Sequence, residues 1–224
     1  MPSHSYLDLL ALYEDVDKLS ETHLKFTKGK RGRKKLGYLT RSAVVMLCAA
    51  WERYNENLLL EAIDLILNKG ISANELPKKV KQNISRKVKE NKNEVYPIEL
   101  ADDGWKNLWK GYAVNDTEAL HTPNSEKLEV LFRRNLGIEN YTTLWKSEHI
   151  VRIDELVKVR GAIAHNGSKA KYVRINQLRK YSTLVKDNSI EIDYNINQLL
   201  YKEYGVKSWK TTYYLDFNDQ KKNM

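Results

Sequence analysis

The fold class is decided by residues 40–67, TRSAVVMLCAAWERYNENLLLEAIDLIL, which form the clearest helical pattern in the chain. Apolar side chains recur there every three or four positions for about seven turns, as they do in a helix that packs along one side. They are Val44, Leu47, Trp51, Tyr54, Leu58, Ala62 and Leu65. Thr40 is a candidate cap for the start of this helix, and Gly70 suits its end. The stretch predicts a long core helix.

The same spacing predicts further helices on both sides of this stretch. They cover about residues 5–26, 72–90, 125–135, 147–165 and 173–204. Ser3 and Ser125 are candidate N-terminal caps, and Ser72 with Glu75 has the spacing of a capping box that opens the third helix. In the last helix, the polar pair at residues 188–189 is a potential break point.

Residues 91–124 are the least regular part of the chain, and there we predict one short helix at about 103–110 between loops. Residues 205–224 form a polar, aromatic tail without a clear pattern. The sequence therefore predicts an all-α fold, an antiparallel helical bundle with an irregular middle insertion at about 91–124. We expect residues 1–204 to form a single domain.

The composition indicates a globular protein, since 42% of its 224 residues are hydrophobic and 30% are charged. No apolar run approaches the roughly 18 to 20 residues that span a bilayer, so no membrane association is expected. The first ten residues, MPSHSYLDLL, lack the basic and apolar regions of a signal peptide. The single cysteine, Cys48, cannot form an internal disulfide. These features lead us to expect a cytoplasmic protein.

The net charge of +9 favours a polyanionic partner, nucleic acid first. Basic residues are densest in residues 28–35, KGKRGRKK, where self-repulsion and two glycines predict a loop. The candidate phosphate contacts in this loop are Lys30, Arg31, Arg33, Lys34 and Lys35. A solvated surface loop explains these residues equally well.

A second basic series lies in the predicted helix at 72–90. It consists of Lys78, Lys79, Lys81, Arg86, Lys87 and Lys89. A solvated helix face is the simpler explanation for this series, and contact with phosphates is the alternative.

Arg160 interrupts the apolar stripe of the predicted helix at 147–165. The other members of that stripe are Ile150, Ile153, Val157, Ile163 and Ala164. A guanidinium on an apolar stripe is costly unless it is paired or faces a wet pocket. Two explanations remain open, an internally paired or snorkelling arginine and a functional one.

His165 follows Arg160 by five residues, at the end of the same helix. In a regular helix this spacing places the two side chains about 140° apart around the axis and about 7.5 Å apart along it. They share a pocket only if the helix unwinds at Asn166 and Gly167, or if a second chain contributes. A lone histidine near a helix C-terminus is usually a partner of the helix dipole. Asn166 is likewise more often a helix-end residue than a ligand.

Glu52 is an acid inside the most apolar helix, directly after Trp51. It is either half exposed and paired with Arg53 or a neighbouring lysine, or a buried acid that orients Arg160 or His165.

The chain shows no pattern for a metal or a nucleotide cofactor, and we expect neither. The five histidines include no i,i+4 pair and no H-E-x-x-H, and one cysteine excludes thiolate zinc sites. Asp102 and Asp103 are typical of a turn, and no glycine-rich phosphate loop occurs. Cys48 lies on an apolar helix and is better explained as a core residue than as a nucleophile.

Residues 157–167, VKVRGAIAHNG, resemble the R-x4-6-H signature of the HEPN superfamily. Residues 49–54, AAWERY, and 123–138, PNSEKLEVLFRRNLGI, resemble one branch of it, the MAE_28990/MAE_18760-like or RiboL-PSP-like HEPN proteins of prokaryotes. The resemblance covers about residues 5–204.

This resemblance implies a helical bundle that forms a homodimer in which two R-x4-6-H motifs face each other. It also implies metal-independent endoribonuclease activity with RNA as substrate, often in toxin–antitoxin or phage-defence systems, and hence an antitoxin or defence-system partner. Many family members carry a polar residue directly after the arginine, where this chain has Gly161. The alternative is a non-catalytic adaptor that binds RNA, a nucleotide or a protein.

Metal-free RNA cleavage needs an acid, a base and positive charge near the phosphate. His165 is the candidate acid or base, because an imidazole titrates near neutral pH. Arg160 is the candidate ligand of the scissile phosphate. Asn166 is a candidate for positioning phosphate or sugar, and Glu52 for supporting the site. Attack by the 2′-hydroxyl predicts 2′,3′-cyclic phosphate and 5′-hydroxyl ends, and predicts that DNA survives.

Overall fold

The computed structural model describes residues 1–27 and 35–214, and within these ranges the protein is all-α, with eight α-helices, three 3-10 turns and no strand. The predicted fold class is confirmed. The helices are α1 (His4–Thr27), α2 (Gly37–Asn68), α3 (Lys78–Glu90), α4 (Tyr96–Glu99), α5 (Gly104–Glu118), α6 (Ser125–Leu136), α7 (Ser147–Asn166) and α8 (Ile175–Tyr204). The 3-10 turns are Ala73–Glu75, Tyr141–Leu144 and Gly167–Lys169.

Helix α2 is the centre of the bundle, and α1, α5, α6, α7 and α8 all pack against it. Of its predicted apolar stripe, Leu65 is only partly buried and the other six side chains are almost fully buried: Val44, Leu47, Trp51, Tyr54, Leu58 and Ala62. Helix α1 runs antiparallel to α2, because the Ser5 amide donates to Glu61 (2.9 Å) near the start of α1 and the end of α2. Helices α7 and α8 are also antiparallel, since Tyr181 donates to Glu155 (2.9 Å) and His149 contacts Asn188.

Two of the predicted helix caps are wrong. Helix α2 begins at Gly37, three residues before Thr40, whose hydroxyl donates to the Gly37 carbonyl (3.2 Å) inside the first turn. Helix α6 is capped by Asn124, which accepts from the Lys127 amide (3.0 Å), and not by Ser125. In contrast, the Ser3 hydroxyl accepts from the Tyr6 amide (3.0 Å) and caps α1 as predicted.

The predicted capping box is present but belongs to a different element. The Ser72 amide donates to the Glu75 carboxylate (2.7 Å), which closes the 3-10 turn and not α3. Helix α3 begins only after Pro77. The residue before a proline is biased away from helical backbone angles, so the turn and the helix stay separate.

The middle of the chain is more helical than the sequence indicates. Helix α5 has 15 residues, and the prediction of one short helix at 103–110 is wrong in length. Trp105, Trp109 and Tyr112 are buried along one side of this helix. The Trp109 indole donates to the Asn135 carbonyl (2.9 Å) and joins α5 to α6. Tertiary burial of the aromatic side chains thus extends the helix through a polar sequence.

The polar pair at residues 188–189 does not break α8. Both residues are fully buried within the continuous helix. The His149 Nδ1 atom lies 2.6 Å from the Asn188 Oδ1 atom, and the Tyr54 hydroxyl donates to the Ser189 carbonyl (2.8 Å). The Asn188 Nδ2 atom and the Ser189 hydroxyl have no hydrogen-bond partner among the residues that the structure describes, so α8 continues although these two buried side chains are only partly satisfied.

Residues 206–214 pack back onto the start of the bundle. The Trp209 indole donates to the Asp193 carbonyl (3.2 Å), and the Tyr213 hydroxyl donates to the Asp193 carboxylate. The Ser3 amide and hydroxyl also donate to this carboxylate. Asp193 on α8 therefore connects the first residues of the chain with the segment that follows α8.

None of the helices in residues 1–27 and 35–214 combines the length and the apolar character that crossing a membrane requires.

Candidate active site

Arg160 lies in the second half of α7, and its side chain is 25% exposed. Its Nη2 atom donates to the Glu52 carboxylate on α2 (3.1 Å) and to the His121 carbonyl in the loop between α5 and α6 (3.0 Å). These contacts offset the cost of placing a guanidinium at the edge of the apolar core. Arg160 thus joins two helices and a loop at one point.

Glu52 faces Arg160, with Arg53 engaged elsewhere. Arg53 pairs with Glu56 (3.5 Å), so the alternative in which Glu52 pairs with Arg53 is not observed. The Glu52 side chain is 17% exposed, and burial raises the pKa of its carboxyl above the ordinary value. Arg160 opposes this shift because it stabilises the carboxylate. The structure therefore brings together the two residues that one sequence hypothesis paired.

Cys48 lies one turn before Glu52 and is fully buried beside Arg160. Burial raises the pKa of the thiol, while the neighbouring Arg160 lowers it by a smaller amount. The net shift keeps the sulfur protonated near neutral pH, which confirms its interpretation as a core residue.

The segment from His121 to Ser125 is held against α2 and α7 by three separate contacts. The first is the bond from Arg160 to the His121 carbonyl. The second is the bond from the Trp51 indole to the Pro123 carbonyl (3.0 Å). The third is a pair of bonds from the Ser125 amide (2.8 Å) and hydroxyl (2.7 Å) to the Asp154 carboxylate. This loop therefore has a fixed position beside Arg160.

His121 is the residue at this site that sequence reasoning missed. Its side chain is exposed, and its electrostatic effect on the pKa of Glu52 indicates that the imidazole lies near the Glu52–Arg160 pair. It occurs between helices, where no periodic spacing marks it. The local feature that marks this loop in the sequence is Pro123, two residues after His121.

His165 is exposed and does not lie beside Arg160. Helix α7 continues through Asn166 and ends at Gly167, which has φ 51° and ψ −122°. Unwinding before Asn166 is therefore excluded, and the two side chains diverge by about 140° around the axis. The imidazole makes no hydrogen bond or ion pair with any residue that the structure describes.

Asn166 and Gly161 complete the motif. The Asn166 side-chain amide donates to the Ala162 carbonyl (2.9 Å), which is a helix-end contact. A Cβ atom added to Gly161 would have no neighbour within 4 Å. Packing therefore does not require glycine at this position.

The apolar stripe of α7 leaves the core at its C-terminal end. Ile153, Val157 and Ile163 are buried, but Ala164 is exposed, contrary to the predicted stripe. On α2, Val45 and Met46 are 38% and 36% exposed, and Ala49 is also exposed. Val45, Ala49 and Glu52 fall on the same side of α2 by their spacing, so an uncovered apolar surface borders the Glu52–Arg160 pair. We call the exposed α2 residues Val45, Met46 and Ala49 the apolar patch.

The basic residues proposed as phosphate contacts differ in their surroundings. Lys30, Arg31, Arg33 and Lys34 lie outside the described residues, whereas Lys35 is exposed with φ 58°. In α3, Lys87 turns inward and pairs with Asp116, while the other five basic residues are exposed. Over residues 1–27 and 35–214, no group of three or more histidine, cysteine or acidic side chains is placed to hold a metal ion.

The comparison with protein families decides the assignment. The family model described as RiboL-PSP-HEPN matches residues 10–198. The chain belongs to the RiboL-PSP-HEPN family. This places it in the HEPN superfamily, as the sequence resemblance predicts, and indicates a nuclease or RNA-binding role. The matched range, residues 10–198, contains the positions of Glu52, Arg160, His165 and Asn166. Comparison with curated proteins and with solved structures finds no match for the chain.

Proposed function

We propose that this HEPN protein is a metal-independent endoribonuclease that acts as a toxin or phage-defence effector. The observation that supports it is the fixed position of Arg160, held by Glu52 and the His121 carbonyl at the edge of the apolar patch. The Nη2 group is occupied by these two acceptors, so a phosphate binds through the remaining donors of the guanidinium. A fixed guanidinium loses little freedom when it binds the developing charge of a transition state.

The proposed reaction is attack of the RNA 2′-hydroxyl on the adjacent phosphorus. His165 accepts the hydroxyl proton, the 2′-oxygen bonds to phosphorus, and the bond from phosphorus to the 5′-oxygen breaks. The protonated imidazole of His165 then donates its proton to the departing 5′-oxygen. Arg160 stabilises the charge on the phosphorane oxygens. The products carry 2′,3′-cyclic phosphate and 5′-hydroxyl ends.

We propose that each site is composite, with Arg160 from one protomer and His165 from a second copy of the chain. Within one protomer the two side chains diverge, and α7 stays regular between them. The apolar patch next to Arg160 is a surface that a second copy would cover. A two-fold axis near α7 would place the same patch of both copies in contact.

A mixing experiment tests this arrangement. Arg160→Ala and His165→Ala are each expected to lose at least about 10²-fold in cleavage rate. Mixed and refolded together, they form heterodimers with one intact site of two, so about one quarter of the wild-type activity returns. If the mixture stays as inactive as its components, Arg160 and His165 act within one protomer or not at all.

Incubation of RNA in EDTA tests the metal-free chemistry. Cleavage is expected to continue under chelation, and a DNA strand of the same sequence is expected to stay intact. Cleavage that stops in EDTA and returns with added metal would contradict the proposal.

A second candidate function is a non-catalytic RNA-binding adaptor. It is favoured by Gly161, which replaces the polar residue that many relatives carry, and by the pairing of Arg160 inside the protomer. Growth arrest on expression separates the two candidates. An endoribonuclease toxin arrests growth, and Arg160→Ala or His165→Ala relieves the arrest, whereas an adaptor gives no arrest that depends on these residues.

A further inference from the structure

The outer side of α3 is a basic surface whose residues reach beyond that helix. Lys78, Lys81 and Lys89 are exposed on one side of α3, while Val80, Ile84 and Val88 are buried on the other. The twelve residues from Lys78 to Lys89 extend about 16 Å along the helix axis. At about 3.4 Å per nucleotide of a helical strand, this is the length of about five nucleotides.

Helix α6 adds two more cations beside α3. A cleft of about 280 Å³ between the helices is lined by Lys79, Gln82, Asn83, Arg86, Arg133 and Arg134. The two arginines occupy the last turn of α6, more than 40 positions along the chain from α3. The sequence series in α3 thus forms only half of a two-sided basic surface.

The geometry of this cleft is fixed at one end by Gly137. This residue ends α6 with φ 73°, and a Cβ atom there would lie 2.5 Å from the Pro77 Cβ atom. Glycine therefore permits the end of α6 to contact the residue that precedes α3. This contact places the end of α6, with Arg133 and Arg134, beside the start of α3.

The charges of the cleft are only partly compensated. Arg86 pairs with Glu90 (3.2 Å) and donates to Asn83 (3.0 Å), which orients its guanidinium within the cleft. Lys79 lies 4.0 Å from Glu139. Within the described part of the chain, no acid pairs with the cations Lys78, Lys89, Arg133 and Arg134. A surplus of positive charge in a concave surface attracts a polyanion and orients it along the groove.

We infer that the surface formed by α3 and the end of α6 binds the phosphate backbone of RNA outside the Arg160 site. The inference rests on the proposed function for the identity of the polyanion. The contacts are to phosphates, so this surface holds the RNA strand without reading its sequence. The cations of α3 are spread over about 16 Å of helix, the length of several phosphates, which favours an extended polyanion over a folded protein partner.

The test is a triple variant, Lys78→Gln, Lys89→Gln and Arg134→Gln, measured in an Arg160→Ala background that leaves RNA uncut. The control is Lys18→Gln, Lys25→Gln and Lys202→Gln, which removes the same charge from exposed positions of α1 and α8. Binding of a fluorescein-labelled, mixed-sequence single-stranded RNA is followed by anisotropy over a range of salt concentrations. Thermal unfolding confirms that both variants are folded.

The surface variant is expected to bind about 10- to 100-fold more weakly in moderate salt, with the slope of log K against log salt flatter by about 2. The control is expected to keep the slope of the Arg160→Ala parent. Equal slopes for the surface variant and the control would overturn the inference. The readout is independent of cleavage. If the wild-type protein cuts no RNA but the slope still depends on this surface, the endonuclease proposal fails and the binding surface stands.

Discussion

Arg160 of α7 and Glu52 of α2 form an ion pair of 3.1 Å in which neither side chain is more than a quarter exposed. A partly buried pair of this kind affects the stability of the protein more than the exposed ion pairs on the outer side of the bundle do. Removing one partner leaves the other charge partly buried without compensation. The pair is therefore coupled both to the stability of the α2–α7 contact and to the orientation of the guanidinium.

Glu52→Ala is expected to lower the free energy of unfolding by about 1–3 kcal/mol and to decrease RNA cleavage, because Arg160 loses its acceptor. Glu52→Gln keeps an acceptor of the same shape, so its loss of stability is smaller. Glu14→Gln removes the exposed Lys18–Glu14 pair and is the matched control, with an expected change below about 0.5 kcal/mol. Urea unfolding measures all three. Equal stability of the Ala variant and the control would show that the pair adds nothing.

Gly161→Ala is expected to stabilise the protein by about 0.5–1 kcal/mol, since glycine in a helix interior is unfavourable and the added methyl has open space. Gly161→Asn places a polar side chain directly after Arg160, which the HEPN resemblance implies for many family members. If a polar side chain at position 161 supports catalysis, Gly161→Asn cuts RNA faster than Gly161→Ala. Gly111→Ala in α5, where the space is also open, is the control for the helix effect alone. A destabilised Gly161→Ala would indicate that a second chain packs on the glycine.

Asp193 is expected to make stability depend on pH in the weakly acidic range. Burial raises the pKa of its carboxyl from 3.8 to about 6, and the hydrogen bonds from Ser3 and Tyr213 offset only part of this shift. The folded state therefore binds this proton more strongly than the unfolded state. The resulting stability is complete below the unfolded pKa and is lost as pH rises through the folded value.

The free energy of unfolding of the wild type is thus expected to fall by up to about 3 kcal/mol from near pH 4 to near pH 7 through this group. Asp193→Asn removes the dependence, and the difference between the two proteins isolates Asp193 from other acids. Asp15→Asn, at an exposed position of α1, is expected to leave the wild-type profile unchanged. Parallel pH profiles for the wild type and Asp193→Asn would contradict the assignment.

Cys48 is expected to resist alkylation in the folded protein. The thiol is fully buried and its pKa is raised, so both access and the thiolate form are limited. Iodoacetamide followed by mass spectrometry is expected to label it only after denaturation. Arg160→Ala uncovers this region and accelerates labelling, whereas Arg53→Ala, on the exposed side of the same helix, does not.

The amino-acid pattern predicts those elements whose burial follows a helical period. Helix α2 and helix α7 are such cases, and Arg160 was found because it interrupts one of these patterns. Helix α5 was underestimated because its second half ends in the polar residues 115–118, whereas its tryptophans are anchored by contacts with α6. The start of α2 at Gly37 was missed because no side chain caps it.

The candidate site was predictable only in part, for a geometric reason. The Glu52–Arg160 pair joins residues 108 positions apart, and one sequence hypothesis named it because both are charges in apolar helices. The His121 carbonyl is a backbone group in an irregular loop, and such a contact leaves no trace in residue type. Only the α3 half of the basic surface was predicted from the sequence. The spacing of residues within α3 gives no information about which helix packs beside it.

Asp193 holds Ser3 and Tyr213 at the same carboxylate, so the backbone forms an almost closed ring. In a circular permutant, a linker that joins position 3 to position 213 would therefore span only a short distance. Such a permutant, opened in a surface loop between α3 and α5, keeps the α2–α7 pairing and the loop at His121 intact. It would also allow labels to be attached far from the Arg160 site.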